Sequence, residues 1–524
     1  MDAAATEPQP APPASPREAE DVHRRVGAGA LAALLVIVLL AFALRVYRMD
    51  AKSFWFDEFQ SVGMACGRGF AHFDLPANVV LPNPPALLNL DHALPWWQIW
   101  YGETQGHMPP LYPLLLRAWG EIFGLGETSA RAFSVAASVA AIVALFFVVR
   151  ELSGTTAALW AGALMALAGP QIQFGQEARN YTLLLLEALV AAAALVRIER
   201  RGPTFARAAM LSLSVLAMAL THYFAAGTIL ALAIYAAVRL RGSALRTAVA
   251  SFVVAALLWL PLGGPVAWRH AHNVEDPRGT AFLRDDAPGH ATRTLLRAAT
   301  LPARFFTEPA IGLIATAAAG GIAFVLAMLM PLRRRDLLLW ALWLPLTILP
   351  MLALDLGRGT QHLEFIRYTL LASPAIYALV AGALSTSRGL LRHVPPAVAV
   401  LSCLLALPLA YDVWWKANWR GFAASVDANV KPGDVTVFWA GNDFPHYPNA
   451  VYLHTSYYRR TPQGPIVLLR DPPDDATLRQ LRAAPGVLLV ALSAERLDEA
   501  LPGAQFEWLA FQPGAGRLSR ATWK

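Results

Sequence analysis

Long apolar runs separated by short polar turns dominate the chain. The stretches 27–44, 132–149, 155–173, 181–196, 208–220, 224–238, 247–268, 309–330, 337–354, 368–385 and 394–411 are mostly Ala, Leu and Val. A helix of about 20 mostly apolar residues crosses a bilayer. The pattern therefore predicts an all-α multi-spanning membrane protein with eleven crossings, or about 11–13 if short ones are added. Segment 109–124 (PPLYPLLLRAWGEIFG) is short and carries Arg117 and Glu121. It reads as interfacial or re-entrant. A crossing there would turn every later basic loop to the other side, unless a second short crossing nearby restored the parity.

Arginines set the orientation. Arg24 and Arg25 precede the first run, and clusters follow at Arg197/Arg200/Arg201/Arg207, Arg239/Arg241/Arg246, Arg333–Arg335 and Arg388/Arg392. With eleven crossings all of these share one side, which the positive-inside bias makes cytoplasmic. The N-terminus is then cytoplasmic and the C-terminus outside. Residues 1–22, rich in Pro, Ala and Glu, read as a disordered tail, and 23–412 as the transmembrane region. Two outer loops, 46–108 and 269–308, and the segment 413–524 lie on the far side. That last segment alternates strand-like VTVFWA, IVLL and VLLVAL with an amphipathic PPDDATLRQLRAA, the pattern of a small α/β domain.

Composition narrows the function classes. The chain is 56% hydrophobic and 15% charged, against roughly 25% charged in a soluble domain. An ordinary cytosolic enzyme and a disordered scaffold are both excluded. The net charge of +7 reflects topological arginines rather than a nucleic-acid surface. Two cysteines, Cys66 and Cys403, make neither a disulfide framework nor a cysteine metal site. No phosphate-cradling glycine loop follows a strand.

Candidate chemistry gathers on the outer side. The first loop opens with SFWFDEFQS, placing Asp57 and Glu58 among Phe54, Trp55, Phe56 and Phe59. Partial desolvation raises a carboxylate's basicity, as a base for an alcohol requires; the alternative is a solvated acidic pair beside an aromatic belt. Glu103 and His107 precede Pro109–Pro110 and suit acceptor orientation or metal binding, or simply a polar loop end. The ligands are too few to assign a metal, so no cofactor is assigned and a divalent metal stays open. In GPQIQFGQEARNY, Glu177, Arg179 and Tyr181 follow the end of a run, and Arg179 suits either a phosphate or lipid headgroups. His222 marks an outer turn. Arg293 and Arg297, four apart on one helix face, suit an anionic substrate unless Glu275, Asp276, Asp285 and Asp286 neutralise them. Arg367, with Tyr368, opens a late run as a second candidate phosphate ligand.

A base, guanidiniums and a bilayer together suit a lipid-phosphate leaving group, which needs cations rather than a general acid. The ordered series FWFDEF, HMPPLY, LLRAWGEIFG with Arg131, QEARNY, THYF, IRYTLLASPA and WRGFAASVDANVKPGDV resembles the bacterial GT-C glycosyltransferases. These are the family 39, protein O-mannosyltransferase and aminoarabinose-transferase-like membrane proteins. The resemblance spans about residues 25–440 and implies a GT-C-like catalytic membrane domain in the bacterial inner membrane. It implies a polyprenyl-phosphate sugar donor used on the periplasmic face, with a glycolipid, polysaccharide or protein acceptor and no nucleic acid. It implies Asp57 and Glu58 as the catalytic centre, and Arg179 and Arg367 as lipid-phosphate contacts. The expected reaction is a single, inverting displacement with Asp57 as base and Glu58 orienting the acceptor. A sugar-lipid transporter or flippase is the rival from another class, although the inverted repeats of transporters are not visible.

Overall fold

The computed structural model describes residues 27–69, 75–85, 88–101, 108–272, 283–308, 334–411, 417–439, 448–460, 464–491, 497–513 and 515–523. The expected tail 1–22 and the expected span 309–330 fall outside them.

Helices make up most of the structure. Apart from the single turns Gln98–Tyr101 and Leu497–Ala500, they are in chain order α1 (Ala28–Val46), α2 (Phe56–Ala65), α3 (Leu111–Phe123), α4 (Glu127–Ser153), α5 (Thr155–Leu167), α6 (Gly169–Gly175), α7 (Tyr181–Arg201), α8 (Phe205–Thr221), α9 (Ala225–Arg239) and α10 (Gly242–Leu262). Then come α11 (Gly264–His272), α12 (His290–Thr307), α13 (Leu338–Arg358), α14 (Ser373–Gly382), α15 (Val394–Ala410), α16 (Trp419–Asn429), α17 (Pro448–Tyr458) and α18 (Asp475–Ala483). Six described stretches are long and apolar enough to cross a bilayer: α1, α4, α7, α10, α13 and Gly389–Ala410. Shorter apolar helices, α5, α8, α9 and Leu370–Gly382, supply four more of the expected runs. The chain is a multi-pass membrane protein.

Helix α7 is the centre, with 83% of its apolar window buried against 17% for the peripheral α1 and α10. Its run Ala191–Ala194 is wholly buried, since small side chains let neighbouring helices approach closely. Gly227 on α9 serves the same purpose: a Cβ there would lie 2.2 Å from Leu346 O on α13. One residue on, the Thr228 and Thr347 hydroxyls share a hydrogen bond of 2.8 Å. The expected single run 155–173 breaks at Ala168. Arg45, at the end of α1, takes the carbonyls of Met165 and Ala166 at 3.0 and 3.1 Å, and Pro170 restarts the chain as α6. Helix α3 has 13 residues, a rise of about 20 Å against a hydrocarbon core of about 30 Å. It buries Tyr112, Leu116 and Gly120 and exposes Ile122 and Phe123, which fits the interfacial reading.

The C-terminal segment forms a six-stranded sheet of order β1-β3-β2-β4-β6-β5. The expected strands appear as β2 (Val435–Trp439), β3 (Ile466–Leu469) and β4 (Val487–Ala491), all parallel, with α18 between β3 and β4. Sequence reading missed the antiparallel hairpin β5 (Gln505–Gln512) and β6 (Gly516–Thr522). It also missed β1 (Val80–Leu81), which the first outer loop adds antiparallel to β3.

Candidate active site

The first loop leaves α1 and is gripped before it forms α2. Arg131, buried near the start of α4, donates to the carbonyls of Met49 and Lys52 at 2.8 Å each and of Ser53 at 3.2 Å. The same guanidinium meets Glu58 face to face, Nε to Oε1 and Nη2 to Oε2, both at 2.8 Å. Glu58 Oε1 also accepts the Ala178 N–H at 3.0 Å, and Oε2 accepts the Trp55 N–H at 3.3 Å, closing the first turn of α2. Glu58 is fully buried, and both its oxygens are occupied by protein donors. Expected to orient an acceptor, Glu58 instead faces four donors of the protein itself. Its geometry is that of a buried anchor joining α2, α4 and the turn before α7.

Asp57 takes the other direction. Consecutive helix residues point about 100° apart, so Glu58 turns inward while Asp57 stays part-exposed. Asp57 Oδ2 lies 3.8 Å from Arg179 Nη2 and 4.0 Å from Arg367 Nη1. Both are ion-pair distances, beyond hydrogen-bond contact. Arg179 is aimed by Nη1, which donates to Asp57 O at 3.0 Å and Ser61 Oγ at 3.2 Å; its Nη2 approaches Met108 Sδ at 3.3 Å. Its buried Nε has no hydrogen-bond partner among the described residues. Arg367 lies over the rings of Trp55, Phe365 and Tyr368, with centroids at 5.4, 4.9 and 5.0 Å. Burial alone would lower both guanidiniums. For Arg179 the Asp57 carboxylate with Tyr181 and Tyr112, and for Arg367 Tyr181 with Asp57 and Tyr368, together outweigh it, so both sit above the ordinary arginine value and stay charged.

Beside Arg367 lies a shallow cleft lined by Tyr181, His222, Phe224, Arg367, Tyr368 and apolar leucines. Burial, and then the Arg179 charge, push His222 down to about 3. His222 is therefore neutral. Its Nδ1 accepts the Phe224 N–H at 3.1 Å, which leaves the proton on Nε2.

Of the expected site residues, the structure thus groups Asp57, Arg179, Tyr181, His222, Arg367 and Tyr368. Glu177 is buried in the turn before α7, where its carbonyl accepts the Arg179 N–H at 2.7 Å. Arg293 and Arg297 do not join the group. They share a face of α12 as expected, but Asp285 takes both, with Arg293 Nη2 at 2.5 Å and Arg297 Nη1 at 3.2 Å, and Glu364 takes Arg297 Nε at 2.7 Å. Of the four acids expected to compete for these arginines, Asp285 takes both, while Glu275 and Asp276 lie outside the described residues. Glu103 and His107 lie outside the described residues. Among the described residues no cluster of three or more His, Cys, Asp or Glu could hold a metal ion.

Sequence reading missed the Asp355–His362 pair. Buried Asp355 accepts the His362 ring at 2.7 Å, together with the N–H groups of His362 and Leu363 and the Thr360 hydroxyl. The His362 ring meets Tyr368 edge-on at 5.3 Å, just behind the cleft. The acid of this pair sits just past the end of an apolar run and its histidine seven residues further on, a spacing that carries no recognisable signal.

Residues 107–268 match the protein family described as dolichyl-phosphate-mannose-protein mannosyltransferase. Comparison with curated protein sequences finds no match. Among solved structures, ArnT from Cupriavidus metallidurans in the apo state superimposes with a TM-score of 0.55 at 16% identity, covering 94% of this chain and 98% of that one. ArnT from the same organism bound to undecaprenyl phosphate gives 0.54 at 14% identity, covering 94% and 97%. At such identity the likeness is one of architecture, and it runs nearly from end to end. By that architecture, and by the family pattern inside it, the chain has the GT-C fold of membrane glycosyltransferases.

Proposed function

We propose that this protein moves a sugar from a polyprenyl-phosphate donor to an acceptor hydroxyl on the periplasmic face of the bacterial inner membrane. The observation that carries the reading is the position of Asp57 between Arg179 and Arg367, 3.8 and 4.0 Å away, with Arg367 itself lining an aromatic cleft. An oxygen anion on the lipid phosphate can take both guanidiniums at hydrogen-bond distance, leaving the carboxylate free for a proton.

In this reaction the acceptor oxygen attacks the anomeric carbon as its proton passes to Asp57. The bond from that carbon to the phosphate oxygen breaks, and its electron pair leaves with the lipid phosphate beside Arg179 and Arg367. A single displacement of this kind inverts the anomeric centre, by the geometric logic of inverting glycosidases. Glu58 and Arg131 hold the helix that carries the base.

Orientation rests on where the arginines fall. Helix α7 starts at Tyr181 beside the cleft and ends at Arg200 and Arg201; α9 starts just after His222 and ends at Arg239. Arg388 and Arg392 likewise follow α14, whose approach carries Arg367. The basic clusters thus lie at the helix ends remote from Asp57, which puts Asp57 outside if they are cytoplasmic.

The test uses purified full-length protein in detergent, labelled undecaprenyl-phosphate hexoses and pentoses tried in turn, and whole envelope extract, glycolipids included, as acceptor. Transfer without a membrane barrier separates an enzyme from a transporter. Asp57→Asn should lower turnover by about 10²–10⁴ while inserting normally. Near wild-type turnover in that variant would show that Asp57 is not the base.

A further inference from the structure

The C-terminal segment reaches the Asp57 region through one carboxylate. Glu127, the first residue of α4, accepts the Phe54 N–H at Oε1 (2.8 Å), the Tyr458 hydroxyl at the same oxygen, and Arg420 Nε at Oε2 (3.0 Å). The Phe54 N–H is shared with the Tyr458 oxygen at 2.7 Å. Burial and the nearby Glu127 push the Tyr458 phenol up, so it stays protonated and donates. Arg420, on α16, also donates Nη2 to Lys52 O at 2.9 Å and its backbone N–H to Ser53 Oγ at 3.2 Å. From α17, Tyr457 packs on Phe54 and Phe59 with centroids at 5.6 and 5.3 Å, and His454 on Phe59 at 4.2 Å. Residues 50–54 form no helix or strand, and Asp57 lies three positions beyond Phe54. The same loop is tied again further on: Asn78 N–H donates to Leu468 O at 2.8 Å, and Val80–Leu81 joins the sheet as β1.

The geometry points to Tyr458, Glu127 and Arg420 as positioning residues for Asp57: the C-terminal sheet segment completes the active site by clamping the strap that leads into the helix carrying the base. This inference rests on the reading of Asp57 as base. None of the three need touch the substrate. They fix where α2 begins, with Arg131 holding the strap from the membrane side and Tyr458 and Arg420 from the sheet side. The hydrogen bonds run in series, Phe54 N–H to Tyr458 O–H to Glu127, and polarise one another in a partly buried setting. Loss of the phenol oxygen leaves Phe54 with one acceptor instead of two and frees Glu127 to shift. Misplacing a reacting group by about 1 Å costs about 10²-fold in rate.

The experiment is the transfer assay above, on full-length Tyr458→Phe, Glu127→Ala and Arg420→Ala. Tyr458→Phe should lower kcat by about 10- to 100-fold, with the donor KM within about twofold and the melting midpoint unchanged. In an Asp57→Asn background the same Tyr458→Phe change should cause no further loss, because a residue acting through Asp57 has nothing left to position. Wild-type kcat in Tyr458→Phe, or an equal fold-loss in both backgrounds, would overturn the inference. Should residual turnover in Asp57→Asn fall below detection, the kcat-against-KM split at unchanged melting decides. Should Tyr458→Phe not insert, Arg420→Ala is read by the same criteria. Near wild-type transfer by Asp57→Asn would instead refute the base, so the two failures are distinct.

Discussion

Glu58→Gln keeps the shape of the side chain and removes its charge, in a place closed to bulk solvent. Glu58 Oε1 takes Arg131 Nε and the Ala178 N–H; Oε2 takes Arg131 Nη2 and the Trp55 N–H. Whichever oxygen becomes an amide NH₂, a donor then faces two donors, and the buried Arg131 cation keeps only the more distant Glu127 carboxylate, 4.0 Å from Nη1. Removing one partner of a buried pair costs about 3–5 kcal/mol. At roughly 2–4 °C per kcal/mol for a cooperative unit of 150–250 residues, the melting midpoint should fall by about 6–20 °C. Arg131→Met should cost more, because it also orphans the carbonyls of Met49, Lys52 and Ser53. The double variant should fall well short of the sum of the two, since they break the same bonds, and should not return to wild type. The assay is tryptophan-fluorescence melting of detergent-purified protein, with gel filtration to confirm folding. A shift under about 2 °C in Glu58→Gln would refute the anchor role and return Glu58 to the substrate side.

Other outcomes follow from the same geometry. Arg367→Ala should lower kcat by about 10²–10³, the usual loss when a donor to developing negative charge is removed, and Arg367→Lys by less; the transfer assay reads both, and an unchanged kcat would remove Arg367 from leaving-group stabilisation. His222 is depressed to about 3 in the fold against about 6.5 unfolded, so the unfolded chain binds the extra proton between those values and stability falls as pH drops from about 6.5 towards 3. Melting curves across that window should therefore be flatter for His222→Asn than for wild type. Gly227→Val forces a side chain onto Leu346 O, 2.2 Å from the Cβ position, whereas Gly29→Ala meets nothing within 4 Å. Overpacking costs about 1–3 kcal/mol or more, so the first should reduce monodisperse yield and the second should not.

Adjacent acids show where sequence reading stops. Asp57 and Glu58 share one local pattern, and nothing in FWFDEF tells which turns to the cleft. The answer depends on the side from which Arg131, 73 positions beyond Glu58, approaches. The α12 arginines teach the converse: their shared face was legible from spacing and Asp285 stood among four candidate acids, but that Asp285 takes both was settled by the turn that folds it back onto α12. The meeting of Arg179 and Arg367 with Asp57 was expected from resemblance alone.

Hydrophobic runs, basic clusters and strand-like patches are local, so the chain by itself determined which segments are apolar enough to cross a bilayer, where most basic turns fall, and that an α/β unit follows. These depend on transfer free energies and on periods of two and 3.6 residues, each readable in a short window. Only the tertiary structure decided that α7 is central, that the first loop donates a strand to the distant sheet, and that Tyr458 closes on Phe54. Each of these depends on which surfaces meet when helices pack. That is settled by side chains hundreds of positions apart, competing for the same buried volume and the same few donors.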